Sequence, residues 1–132
     1  MADKTALLKD GYQAFAKGDV QGASENFADD VRWEGANTDR IPGSGTYTGK
    51  DEIIQNAWAV IPQAFDDFNV SPDEFIEQGD TVVVLGHTEA KAKSTGKDIK
   101  VPFVHVWRFE GDKIKRAQLL TDTAVVAEAL ES

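Results

Sequence analysis

Cysteine is absent from this chain, and the absence removes several chemistries at once. No disulfide can staple the fold, no thiolate can act as a nucleophile, and no Cys-ligated metal can form. Long apolar runs are missing as well: none approaches the ~18 residues a membrane span requires, so no membrane partner is expected. Cations are scarce. Fourteen Lys and Arg stand against 23 Asp and Glu, for a net charge of −9. That balance opposes contact with phosphate backbones, so nucleic acid is not an expected partner. The opening residues Met1-Ala-Asp-Lys-Thr5 are polar and carry no signal-peptide core, which makes the cytoplasm the expected location.

What is present is an ordinary globular composition, 41% apolar and 28% charged, in a chain long enough for one sizeable core. No repeat, low-complexity run or linker divides it, so residues 1–132 read as a single domain. Residues 3–17 read as a helix with Leu8, Gly11, Tyr12 and Phe15 on one stripe and Gly18 placed to stop it. Asp19 can cap a second short helix carrying Val20, Ala23 and Phe27 inward. Asp29-Asp30 read as a polar turn, 31–34 as a short strand, and 35–48 as a loop rich in Gly, Pro and Thr. Thr48 followed by Asp51 resembles a capping arrangement for a third helix. Its apolar stripe is Ile53, Ile54, Ala57, Trp58 and Ile61, with Pro62 at its end. Strands are expected at about 68–77, 80–92, 99–110 and 113–121. A C-terminal helix capped at Asp122-Thr123 follows, with Val125, Val126, Ala129 and Leu130. Helices first and a run of antiparallel strands second make the class α+β.

The most informative stretch is Val101–Ile114. Alternation puts Phe103, His105, Trp107 and Phe109 on one face of a strand, because successive side chains point to opposite sides. Three aromatics and one imidazole fit the wall of an apolar pocket holding a single titratable group. They also fit a packed core with a hydrogen-bonded histidine. A two-residue hairpin loop at Thr95-Gly96 would set His105 opposite Gly86, Trp107 opposite Val84, Phe109 opposite Val82 and Phe103 opposite Thr88. Gly86 would then leave room beside the imidazole. His87 falls on the other face beside Val83 and Leu85. Two histidines on opposite faces leave no metal site, and nothing implies a cofactor. The outer face adds Val104, Val106 and Leu120, more apolar surface than monomers usually expose, which predicts a homodimer through it.

The supporting candidates sort by parity and position. Trp33 should point inward with Val31 and Gly35, as pocket lining or as core. Glu34 is sent outward by parity, so a solvated carboxylate fits better than a general base. Tyr12, on the flank of the first helix's stripe, can bring its hydroxyl to the pocket or fill core with a wet tip. Tyr47 sits where it could cover the pocket mouth. Asp122 is most simply an N-cap, and Trp58 and Phe65 should pack the third helix onto the sheet.

Five segments in succession carry a family resemblance: Tyr12-Gln-Ala-Phe-Ala-Lys-Gly-Asp19, Asn26-Phe-Ala-Asp-Asp-Val-Arg-Trp33, Gly45-Thr-Tyr-Thr-Gly49, Gly79-Asp-Thr-Val-Val-Val-Leu-Gly86 and His105-Val-Trp-Arg-Phe-Glu-Gly-Asp-Lys-Ile114. Together they resemble the nuclear transport factor 2-like superfamily and, within it, the SnoaL-like proteins related to ketosteroid isomerase. The resemblance implies a cystatin-like roll: a strongly curved, mixed or antiparallel sheet wrapped as a cone around N-terminal helices and open at one end to an apolar pocket. Members include isomerases, cyclases, dehydratases, epoxide hydrolases and proteins without catalysis, so the fold leaves function open.

Ketosteroid isomerase works with a carboxylate base on the first strand and a Tyr and a protonated Asp as donors to the oxyanion. Alignment on the shared residues places Gly35 at the base, Gly11 at the Tyr and His105 at the Asp, so that mechanism is not expected here. No Asp-Arg-Asp set suited to epoxide hydrolysis lies on the inward faces either. The polyketide cyclases are closer in pattern. The resemblance therefore implies that a small apolar, cyclic, carbonyl-bearing molecule binds in the cone, with His105 as acid-base group or hydrogen-bond donor and Tyr12, Trp33, Tyr47, Val84, Gly86, Phe103, Trp107 and Phe109 lining the pocket. A non-catalytic ligand-binding or stress-associated accessory protein is the alternative, and a second titratable group aimed at the same point would separate the two.

Overall fold

Asp3 and Gly18 bound the first helix. In the computed structural model, which describes residues 3–131, Asp3 Oδ1 accepts from the Thr5 N–H at 3.1 Å and opens α1 (Lys4–Ala16). Met1 and Ala2, the start of the polar opening, and Ser132 lie outside the described residues. The helix closes in a double C-terminal turn: the Gly18 N–H reaches the Phe15 carbonyl at 3.0 Å and the Asp19 N–H reaches the Ala14 carbonyl at 2.9 Å. Such a turn needs a left-handed residue, and Gly18 supplies φ +79°. Asp19 Oδ1 then accepts from the Gly22 N–H at 2.9 Å and caps α2 (Val20–Ala23), as its sequence position anticipates.

Beyond this point local signals and tertiary pairing diverge. Phe27, expected on the second helix, opens β1 (Phe27–Glu34) and is buried there; the side to which it points was legible, the element was not. Asp29 and Asp30, expected as a turn, lie within the same strand. There Lys115 of the neighbouring strand donates to Asp30 Oδ1 at 2.6 Å, so the polar pair is accommodated by pairing rather than by a reversal. The expected loop contains β2 (Thr46–Thr48), antiparallel to β1. The third helix begins at Gly49, not at Thr48. A three-residue α3 (Lys50–Glu52) runs straight into a π-helical stretch (Ile53–Trp58), and Pro62 lies inside a separate turn, α4 (Ile61–Ala64), instead of ending the helix. The wider π turn keeps Ile53, Ala57 and Trp58 buried together.

The long strands fall where alternation and turn residues place them: β3 (Phe65–Gln78), β4 (Thr81–Ala92), β5 (Asp98–Glu110) and β6 (Lys113–Thr121), followed by α5 (Thr123–Leu130). Asp122 caps α5 through the Val125 N–H at 3.3 Å. The sheet order is β2-β1-β6-β5-β4-β3, antiparallel throughout except for the parallel β1–β6 pair, so the sheet is mixed. Register breaks in β3 at 66–69 and 72–74 bend it, as extra residues on one strand of a pair do. The curved sheet folds over α1 and α2, and the class is α+β.

The β4–β5 register corrects the hairpin expectation. Ala92 bonds to Lys97 and Lys91 pairs with Asp98, so the turn spans four residues, 93–96. His105 therefore faces Val84, Trp107 faces Val82, and Phe103 faces Gly86. A slip of two residues preserves every side-chain face, so the expected inward set survives. The gap at Gly86 is already taken: a Cβ there would lie 2.2 Å from the Ser71 carbonyl oxygen and 2.5 Å from Phe103 Cζ. The ring of Phe103 uses the space that the sequence assigned to room beside the imidazole.

Candidate functional site

α1 and β5 meet at a hydrogen-bonded chain of three aromatic side chains. His105 and Trp107 are two residues apart on β5 and thus share a face, and Tyr12 reaches them from the inner stripe of α1. An indole N–H can only donate, so Trp107 Nε1 donates to the Tyr12 hydroxyl oxygen at 3.1 Å. The Tyr12 O–H is then directed at His105 Nδ1, 2.7 Å away. With Nδ1 accepting, the proton of the neutral imidazole sits on Nε2, which has no acceptor among the described residues. Phe103 stacks on the imidazole with ring centroids 3.9 Å apart and planes 14° from parallel.

These side chains form one wall of a cavity of about 250 Å³. His105 keeps some surface toward that space, yet protein encloses the ring and burial pushes its pKa down to about 3. The imidazole is therefore neutral at pH 7. Burial also raises the Tyr12 phenol well above its ordinary range, against a smaller lowering by the Trp107 hydrogen bond. Among the described residues no Asp, Glu, Lys or Arg lines the cavity, and Tyr12 and His105 are its titratable groups. Neither has a protonation change near neutrality, so of the two roles expected for His105, acid-base group and hydrogen-bond donor, burial favours the second.

Of the residues singled out in the sequence, Tyr12, Trp33, Phe103, His105 and Trp107 line the cavity together. Four others do not. Val84 and Phe109 point to the expected side but are packed shut in the core, and Gly86 is filled by Phe103. Tyr47 closes its own loop by donating to the Ser44 carbonyl at 2.6 Å instead of covering the mouth. Glu34 faces away, paired with Arg116 and Arg32, and those cations hold its carboxyl below the usual range. Gly11 and Gly35, the positions aligned with two catalytic groups of ketosteroid isomerase, both border the cavity, but a Cβ at Gly11 would meet the Ala23 carbonyl oxygen at 3.6 Å and one at Gly35 the Gly45 carbonyl oxygen at 3.2 Å.

Other lining residues escaped sequence reasoning. Ile41, Pro42 and Gly43 reach the cavity because the 35–45 loop folds back on itself, with Gly35 and Gly45 bonded at 2.9 Å. Arg40 ties the loop to Glu131 through two bonds of 2.9 and 3.1 Å. Trp58, expected as core, is buried 5.7 Å from Trp33 and also faces the cavity. Phe65, expected to pack the third helix, opens β3 and joins a second cluster with Val101 and Val126 under α5. Thr88, which parity places on the inward face, lines the cavity as well, although it was not among the expected pocket residues. Among the described residues no cluster of His, Asp and Glu could hold a metal, and no helix is long and apolar enough to cross a membrane.

Comparison with known proteins agrees with this fold. The sequence model of the SnoaL-like domain matches residues 8–117. A nuclear transport factor 2-like protein from Burkholderia thailandensis superposes with a TM-score of 0.92 at 28% identity over 100% of both chains. One of unknown function from Burkholderia pseudomallei superposes at 0.88 with 32% identity, again over 100% of both. TerC, co-crystallised with polyporic acid, superposes at 0.88 with 29% identity over 98% of each chain. No curated protein matches the chain.

Proposed function

The chain belongs to the SnoaL-like family of the nuclear transport factor 2-like superfamily, and on that premise we propose that it binds a small, uncharged, cyclic carbonyl compound, with His105 Nε2–H donating to the carbonyl oxygen. The observation that carries this reading is the Trp107–Tyr12–His105 chain, which leaves one oriented donor on an apolar wall. A cavity without charged lining disfavours ionic ligands, because an unpaired buried charge is costly. Its volume lies below the roughly 300–1,000 Å³ of drug-sized pockets, which suits a compact ligand. TerC, similar in fold and 29% identical, was co-crystallised with polyporic acid, which supports a small organic molecule as the class of ligand.

The balance between binding and catalysis favours binding. Enolisation, the step common to isomerases and cyclases, needs a base as well as a donor. Gly35 stands at the position of the carboxylate base, and His105 at a pKa of about 3 is a weak proton acceptor. A catalytic role is then limited to polarising the bound carbonyl through Nε2–H.

A thermal-shift screen against cyclic ketones, aromatic polyketides, steroids, small enoic acids and polyporic acid tests the reading. A ligand at a hundred times its Kd should stabilise the fold by about 2.7 kcal/mol. The expected result is at least one hit that is lost in His105→Ala. No hit, or a hit undiminished in that variant, overturns it. The protein is further proposed to act in the cytoplasm as a homodimer through the convex sheet face. There Ile76, Val83 and Val106 form one cross-strand row, and Leu85, Val104 and Leu120 another. Leu120 is 58% and Ile76 46% exposed in the single chain. A concentration-independent monomer mass in sedimentation at micromolar protein would contradict the dimer.

A further inference from the structure

We infer that Thr88 is a second polar anchor of the cavity, selecting elongated ligands that carry a hydroxyl or second oxygen at the end opposite the carbonyl; this rests on the carbonyl-binding role proposed for His105. Thr88 belongs to the inward face of β4, in a cross-strand row with Val70 and Val101, and all three line the cavity. Its hydroxyl has no hydrogen-bond partner among the described residues, while its inward neighbours Val84, Ala90, Val101 and Phe103 are buried and apolar. Thr88 itself is only half-buried, so its hydroxyl stays open to a partner arriving from the cavity. A ligand oxygen would supply the missing partner.

The spacing defines the ligand. Val84, the cross-strand partner of His105, lies four residues from Thr88 along β4, or roughly 13 Å at about 3.3 Å per residue. The row between them is that of Gly86 and Phe103, whose ring stacks on His105. A flat conjugated frame therefore suits a ligand that runs past the Phe103 ring, which occupies that row, from one polar group to the other.

Chalcone and 4-hydroxychalcone provide the test, because the second adds a phenolic hydroxyl at the far end of the same frame. Cysteine is absent, so neither enone can be trapped by a thiol of the protein. Calorimetric titration of the intact protein should give roughly fivefold tighter binding of 4-hydroxychalcone, the scale of one net hydrogen bond. Thr88→Val should abolish that preference while leaving chalcone affinity within about twofold, and Thr88→Ser should retain it. His105→Ala should weaken both ligands. If both bind through His105 but wild type shows no preference, or Thr88→Val keeps it, the role of Thr88 is overturned and that of His105 stands. If neither binds, or binding ignores His105, both fall.

Discussion

His105 and His87 belong to neighbouring strands of one sheet, and their surroundings share almost nothing. On the concave side His105 has one neutral partner, the Tyr12 hydroxyl, and faces a cavity without charged lining. On the convex side His87 Nδ1 lies 3.0 Å from Asp73 Oδ2 and Nε2 lies 3.9 Å from Glu89, with 34% of the side chain exposed. The two side chains are chemically identical; the medium is not. Burial penalises a charged imidazole on the concave face, whereas on the convex face the ring lies between two carboxylates and water. Strand parity thus selects between an apolar and a polar setting for the same side chain.

The sharpest way to break this comparison is to place the same charge on each face. Val84 is fully buried opposite His105, and its neighbour Val83 faces the convex side. Val84→Asp should cost about 3–5 kcal/mol and abolish a cooperative thermal transition, since an unpaired carboxylate cannot be hydrated there. Val83→Asp should change stability by less than about 1 kcal/mol while shifting sedimentation toward the monomer. Equal losses from the two variants would end the two-face account.

Acid provides the next largest effect. The folded pKa of His105 is about 3 against 6.5 for the free side chain, so between those values the unfolded state binds the extra proton. Stability should therefore fall as pH drops from 6.5 toward 3, by as much as ~4 kcal/mol. Urea denaturation across that range should show a shallower slope for His105→Phe than for wild type.

Tyr12→Phe sharpens the concave side alone. It removes the acceptor of Trp107 and the donor to His105, and about 1–3 kcal/mol of stability should go with it. Nitrogen chemical shifts of His105 should also lose the signature of a single Nε2–H tautomer, which a purely structural tyrosine would leave intact. The smallest change belongs to the convex side: Asp73→Asn, which breaks an exposed pair, should alter the melting free energy by under ~1 kcal/mol.

Much of the concave face was legible before any coordinates. Parity placed Phe103, His105, Trp107 and Trp33 inward, and the stripe of α1 brought Tyr12 to them. The hairpin register was off by two residues, yet no side chain changed face, because the pleat repeats every two residues. The partner of each residue is a different matter. Parity leaves open space at Gly86, which Phe103 fills, and puts Val84 and Phe109 on the pocket side, where they are closed in the core. Parity gives the side of a strand but not what arrives there from another element.

The sequence by itself determined the α+β order, the caps at Asp19 and Asp122, the inward and outward sets of the long strands, and the family. Those rest on contacts within a few residues, on a period of two, or on a succession of short motifs, all of which a linear text contains. Tertiary structure alone decided the π-helical stretch, the pairing that turned Asp29-Asp30 into strand, the fold-back of the 35–45 loop and the depth at which His105 sits. Each depends on groups distant in sequence that compete for the same volume: the hydroxyl of Tyr12, 93 residues from His105, orients the imidazole, and enclosure from several elements strips it of charge.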